Sequence, residues 1–199
     1  LWLLRALATQ RAQGSLLLEM LVPKQQAAVD QVRAGYAKGQ APADLYQALQ
    51  WQPNWDWGVY GALVGYAVQQ PWPLQSANLD RSEIMQIYAQ QPGLAGNASS
   101  APLVREVLLQ QIRESHCDLL PESQLPAMLA VQQQRDRRMA DRLRDAPEPA
   151  LLFAGAFHVR RDLGVPLHLQ DLGAADGTLV LVLAEAGSAV SEGQGDFVW

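Results

Sequence analysis

An α/β fold, a mostly parallel sheet flanked by helices with a helix-rich middle segment, is what this sequence predicts. Three observations lead there. Short, uninterrupted apolar runs at 15–20 (SLLLEM), 150–157 (ALLFAGAF) and 179–184 (LVLVLA) read as strands buried on both faces, the habit of parallel sheets. Helical periodicity fills most of the chain between them. Strands that alternate with helices favour parallel pairing through crossovers.

The elements follow in order. Residues 1–12 read as helix interior, with no Ser, Thr, Asp or Asn before them to cap the first turn. The final residues, 195–199, stop inside an apolar run. Both ends look cut, so targeting information is expected upstream of Leu1. The strand at 15–20 is followed by Pro23, which suits a first helical turn; that helix is expected to reach about Ala34 and stop near Gly35 and Gly39. Shorter helices are expected over 43–51 and 55–69, the second with apolar residues at 55, 59, 63, 66 and 67. A weak strand falls at 73–77. Asp80 and Glu83 have the spacing of a capping box and open another helix. Small and turn-forming residues at 91–101 make a loop. Helices over 102–116 and 122–144 follow, then the strands at 150–157 and 179–184, a loop over 187–195 and a last short strand.

The chain has 199 residues, 49% of them hydrophobic and 18% charged. That supports one α/β domain over residues 1–199, with a helical middle at about 80–145. A net charge of −5 argues against nucleic-acid binding, which needs a basic face. No apolar stretch is long enough for a membrane-spanning helix. The single cysteine, Cys117, can form no internal disulfide, and a zinc site of four thiolates is excluded. Phosphate-loop, dinucleotide, zinc-protease and serine-elbow motifs are all missing.

Ligands of open α/β sheets bind beyond the carboxyl ends of the strands. The expected strands run into Glu19, Asn78 and His158, and parallel pairing would gather these side chains at one crevice. The alternative is that polar residues follow strands because loops begin there. Glu19 stands out among Leu18, Met20 and Leu21, where a carboxylate needs a partner or a shifted pKa. Arg160 and Arg161 follow His158 and could hold anionic groups. On the helix over 122–144 the apolar stripe carries Gln132, Arg135 and Asp136 with it. Either Arg135 and Asp136 form an internal network, or Arg135 faces a carboxylate-bearing ligand. Trp51, Trp55, Trp57 and Tyr60 either line a flat apolar site or pack the helices. His116 ends a helix, as a dipole cap or as a metal ligand. His168, in an apolar run begun by Pro166, reads as structural.

Several fragments together resemble the ChaN-like haem-binding uptake family, including its PhuW-type lipoproteins. They are Leu17-Leu18-Glu19-Met20, Trp55-Asp56-Trp57 to Tyr60, Ala77-Asn78-Leu79, Ser115-His116-Cys117 to Pro121 and Gln134-Arg135-Asp136 to Met139-Ala140. Most specific is Gly155-Ala156-Phe157-His158-Val159-Arg160-Arg161-Asp162-Leu163-Gly164-Val165-Pro166. The resemblance spans nearly the whole chain. It implies a haem-binding protein of a bacterial iron-uptake system, with haem in an apolar slot shared across a homodimer, rather than an enzyme. It implies tyrosine ligation of iron, for which Tyr60 is the choice, with His116 and Met139 in reserve and Trp57 and Arg135 as further haem contacts. It also implies a periplasmic protein lipid-anchored to the outer membrane through an upstream cysteine, partnered by a haem receptor or transporter. The family's first strand, with its G-[DE]-x-H element, is expected upstream of Leu1. The wider G-x-x-H group includes metal-dependent hydrolases. That alternative makes Glu19 and His158 ligands of a divalent metal that activates water.

Overall fold

The computed structural model of the protein describes all residues, Leu1–Trp199. Its residues group into two compact units, Leu1–Asp80 with Asp145–Phe153, and Arg81–Arg144 with Ala154–Trp199.

The first unit begins with helix α1 (Trp2–Gln10) and strand β1 (Ser15–Leu18). A 3₁₀ turn (Pro23–Gln25) leads into α2 (Gln26–Ala37), then come α3 (Leu45–Ala48), α4 (Trp57–Ala67) and β2 (Leu74–Ser76). Strand β3 (Ala150–Phe153) completes a three-stranded, wholly parallel sheet in the order β2-β1-β3. Central β1 has no exposed residue, as its unbroken apolar run requires. It registers Leu16 with Leu74 and Leu151, and Leu18 with Ser76 and Phe153. Its side chains pack against Val29 and Val32 of α2 and Val64 and Ala67 of α4.

Two glutamines close this layer. Gln26 runs along the outer edge of β2 as a neighbouring strand would: its Oε1 accepts from Ser76 N (2.8 Å) and its Nε2 donates to Leu74 O (3.0 Å). Gln25 is buried and donates to the carbonyls of Leu49 and Gln50, which ties the turn after β1 to the exit of α3. Arg33 reaches the carbonyls of Gln70, Pro71 and Trp72 just after α4. Helix α2 runs past its expected end at Ala34. Gly35 stays helical, and the reversal comes at Gly39, whose φ of 74° only glycine adopts freely.

The second unit contains α5 (Arg81–Gln90), α6 (Pro102–Ser115), a 3₁₀ turn (Glu122–Gln124), α7 (Leu125–Arg144), α8 (Ala156–Val159) and α9 (Val165–Asp171). Leu108 and Ile112 of α6 meet Leu125 and Leu129 of α7 and Leu163 in its core. Two strand expectations change here. Residues 156–157 leave the strand and begin α8, because Gly155 breaks the run. The run at 179–184 contributes only β4 (Leu181–Val182), which pairs with β5 (Phe197–Val198) in a separate parallel pair. Val180 and Val182 are buried while Leu179 and Leu183 are exposed, so this strand has one solvated face despite its uninterrupted apolar sequence.

Candidate functional site

In the first unit, β1 delivers Glu19 to the carboxyl end of the sheet, where the residue is only 3% exposed. Its main chain is held on both sides. Glu19 N donates to Phe153 O (3.1 Å), and the Asn78 amide donates to Glu19 O (3.0 Å). Asn78 also accepts from Leu79 N (2.8 Å), so it serves as a brace for the strand ends. Glu19 and Asn78 thus meet, as parallel pairing predicts.

Asp56 caps α4 by accepting from Gly58 N (2.8 Å), and this start sets Trp57 and Tyr60 one turn apart. The Tyr60 ring has edge-on aromatic neighbours in Trp55 (5.6 Å between centroids) and Phe153 (6.5 Å), with Trp51 tilted at 6.5 Å. Trp57 packs edge-on against Trp51 and Tyr46. Trp51 belongs to the core, whereas Trp55, Trp57 and Tyr60 are only partly buried, and Val59 beside them is 65% exposed. The cluster therefore packs the helices and also offers an apolar surface. Burial, then the negative charges of Glu19 and Asp56, hold the Tyr60 phenol above its ordinary pKa, and no hydrogen bond offsets them.

The second unit holds the other candidates. His158 lies on α8 and not at a strand end, since β3 stops at Phe153. Its Nδ1 donates to Asp136 Oδ1 at 2.5 Å, with the Gln132 amide 3.2 Å from the same nitrogen. Asp136 is fully buried. The expected Arg135–Asp136 network is replaced by this acid–imidazole pair. Arg135 keeps a buried Nε with no hydrogen-bond partner, which suits a carboxylate. Arg160 is engaged by Asp162 (2.9 and 2.6 Å) and lies over Phe157. His116 caps α6 by donating from Nδ1 to Ile112 O (2.8 Å). Met139 is fully enclosed in the core, so its sulfur is presented to no ligand, and its place as a reserve iron ligand is withdrawn. Gly164, in the most specific fragment, has no alternative: a Cβ there would collide with the His158 carbonyl oxygen.

One cluster escaped the sequence reading. The Asp171 carboxylate accepts from the backbone N–H groups of Asn97, Ala98 and Ser99 and from the Ser99 hydroxyl (2.5–2.9 Å). Arg137 donates to His168 Nδ1 (3.3 Å) and to Ala95 O. Ser99, His168 and Asp171 are the residue types of a hydrolase triad, but the serine bonds the aspartate and the histidine faces an arginine. That wiring activates no nucleophile. More than seventy residues separate the loop from Asp171, and nothing local in the sequence marks the pairing.

An aromatic-lined phenol thus lies beside Phe153 at the carboxyl end of the sheet, the end at which ligands of open α/β folds bind. The family model for haem-binding uptake proteins of the Tiki superfamily, ChaN, matches residues 1–169. The chain belongs to this ChaN-like haem-binding uptake family. A solved structure, that of cofacial haem binding to ChaN of Campylobacter jejuni, is 31% identical, with a TM-score of 0.86 over 98% of this chain and 76% of that one. Among curated proteins no significant match is found. Haem binding in haem uptake is the function these findings support, and neither supports the hydrolase alternative. No group of three or more His, Cys, Asp or Glu side chains is placed to hold a metal ion.

Proposed function

We propose that the chain carries haem on the aromatic face of α4, with the Tyr60 phenol oxygen as the iron ligand and Trp57 as part of the apolar wall. The observation that carries this reading is the setting of Tyr60. It is partly buried among three aromatic rings, next to an exposed valine, with no hydrogen bond to its hydroxyl shifting its titration. Haem needs a flat apolar surface and an axial ligand, and this face provides both. The free phenol, its pKa held above the ordinary value by burial and by Glu19 and Asp56, is protonated at neutral pH. Bound ferric iron supplies the charge that draws the proton off, as metal ions do for coordinated ligands.

The wider assignment has the same family basis. We read the protein as one that dimerises on haem, acts in the periplasm anchored by lipid to the outer membrane, and exchanges haem with a receptor or transporter. Cofacial haem binding in the Campylobacter relative supports a reading in which haem sits between two copies of the chain, an isologous contact.

Hemin titration followed by absorbance tests the ligand. The native chain is expected to give a saturable Soret change. Tyr60→Phe should weaken binding at least about tenfold and alter the ligand-sensitive bands. His116→Ala should leave the spectrum unchanged, because Tyr60 holds the iron in this reading. An unaltered spectrum in Tyr60→Phe would remove Tyr60 from the role.

A further inference from the structure

We propose that Gly61 is a positioning residue for the porphyrin: lacking a side chain, it lets the Trp57 indole lie close against α4 and so fixes the apolar wall. The inference rests on Trp57 as part of the haem face and adds a residue that acts through it.

Helix α4 carries glycines at 58, 61 and 65. Glycine inside a helix costs stability relative to alanine, so each position calls for a reason. Space gives none at Gly65, where an added Cβ would meet only Leu45 Cδ2 at an ordinary 3.6 Å. At Gly58 it would meet the Asp56 carboxylate that caps the helix, at 3.2 Å. Gly61 differs. A Cβ there would fall 2.8 Å from Trp57 Cε2, 3.0 Å from Nε1 and 3.1 Å from Cδ2. The indole therefore occupies the space that any side chain at 61 would need.

The ring is also braced from the side. Trp51 stands 5.1 Å from it between centroids, and Tyr46 5.7 Å. Trp51 is itself fixed, being 4% exposed and donating from Nε1 to Trp55 O (2.8 Å). Trp51 and Trp55 are in turn two of the three ring neighbours of Tyr60. The place of the indole is thus tied to the surroundings of the proposed ligand, and Gly61, the next residue after Tyr60, permits it. A methyl group at 61 would push the indole off the helix. A wall already in place before the porphyrin arrives does not have to be ordered on binding, and that advantage would be lost.

Two porphyrins separate the wall from the iron ligand. Metal-free protoporphyrin IX, titrated by fluorescence, senses the wall alone, and hemin, titrated by absorbance, senses both. Gly61→Ala should weaken both by about tenfold, the scale of ordering one side chain, and leave the ligand-sensitive bands of bound hemin in place. Gly65→Ala, in the same helix, should bind both as the native chain does. In a Trp57→Ala background, Gly61→Ala should cost nothing further, because no indole remains to be displaced. Native affinity in a folded Gly61→Ala protein overturns the inference, and so does an undiminished loss in the Trp57→Ala background. If Gly61→Ala alone does not fold, the double variant should; failure of both while Trp57→Ala folds overturns it as well. Tyr60→Phe keeps the ring, so it should weaken hemin and spare the metal-free porphyrin. Trp57→Ala with native affinity for both porphyrins removes Trp57 from the wall, and the role of Gly61 falls with it.

Discussion

At the residue scale, the most consequential ionisable groups outside the candidate haem face are Asp171 and His168. Burial opposes ionisation of Asp171, but the Ser99 hydroxyl and three backbone N–H groups outweigh it, and its pKa falls to about 2. Burial, aided by the Arg137 charge, lowers the pKa of His168 to about 4. In both cases the unfolded chain binds its proton more readily than the folded one. Their stabilisation is therefore complete at neutral pH and is lost on acidification. For His168 the loss runs from about 6.5 down through about 4, and for Asp171 from about 3.8 down through about 2. Chemical denaturation across pH should show both stages. His168→Gln should flatten the upper one, if glutamine accepts from Arg137 as the imidazole does. Asp171→Asn should cost about 2 kcal/mol at pH 7 by removing a charged acceptor from its donors.

The residue scale also shows what could be read in advance. Glu19 and Asn78 were legible because a polar residue closing an apolar strand has few places to go. The partnership of His158 with Asp136 was not. The two lie 22 residues apart on different helices, and Asp136 reads from its spacing as a mate for Arg135. Met139 misled because a thioether inside an apolar stripe looks the same whether it fills a core or faces a ligand.

At the scale of elements, the sequence was informative wherever one period dominated. Strand β1 and helices α6 and α7 fall within a few residues of their expected bounds, because Pro102 and continuous periodicity define them. The run at 179–184 failed because composition reports hydrophobicity and not which faces are covered. Neither edge glutamine was foreseen. Gln26 is unremarkable in a helix, and only the fold sets it beside β2. Replacing it with alanine would strand Ser76 N–H and Leu74 C=O at a largely buried edge. A loss of about 2 kcal/mol is expected, read by thermal or urea unfolding. Glu as the replacement should not rescue it, because a carboxylate cannot donate to the Leu74 carbonyl.

For the whole molecule, the α/β class and the parallel sheet were legible from strand and helix alternation, whereas the division into two compact units was not. Its boundaries at Asp80–Arg81, Arg144–Asp145 and Phe153–Ala154 carry no glycine-rich or charged linker to announce them. Function at this scale concerns assembly. Light scattering behind a sizing column should show the mass doubling when hemin is added, and Tyr60→Phe should remain at the mass of one chain. A mass independent of hemin would argue against haem-linked dimerisation.

The central strand is made early and completed late. β1 lies at residues 15–18, and the partner on one of its sides is β3 at 150–153. During synthesis, more than a hundred residues must leave the ribosome before that flank can close. Until then a largely apolar strand has a bare edge, open to neighbouring nascent chains. Folding from the full-length chain should accordingly be slow, and a fragment ending before Ala150 should aggregate instead of forming a smaller version of the same sheet.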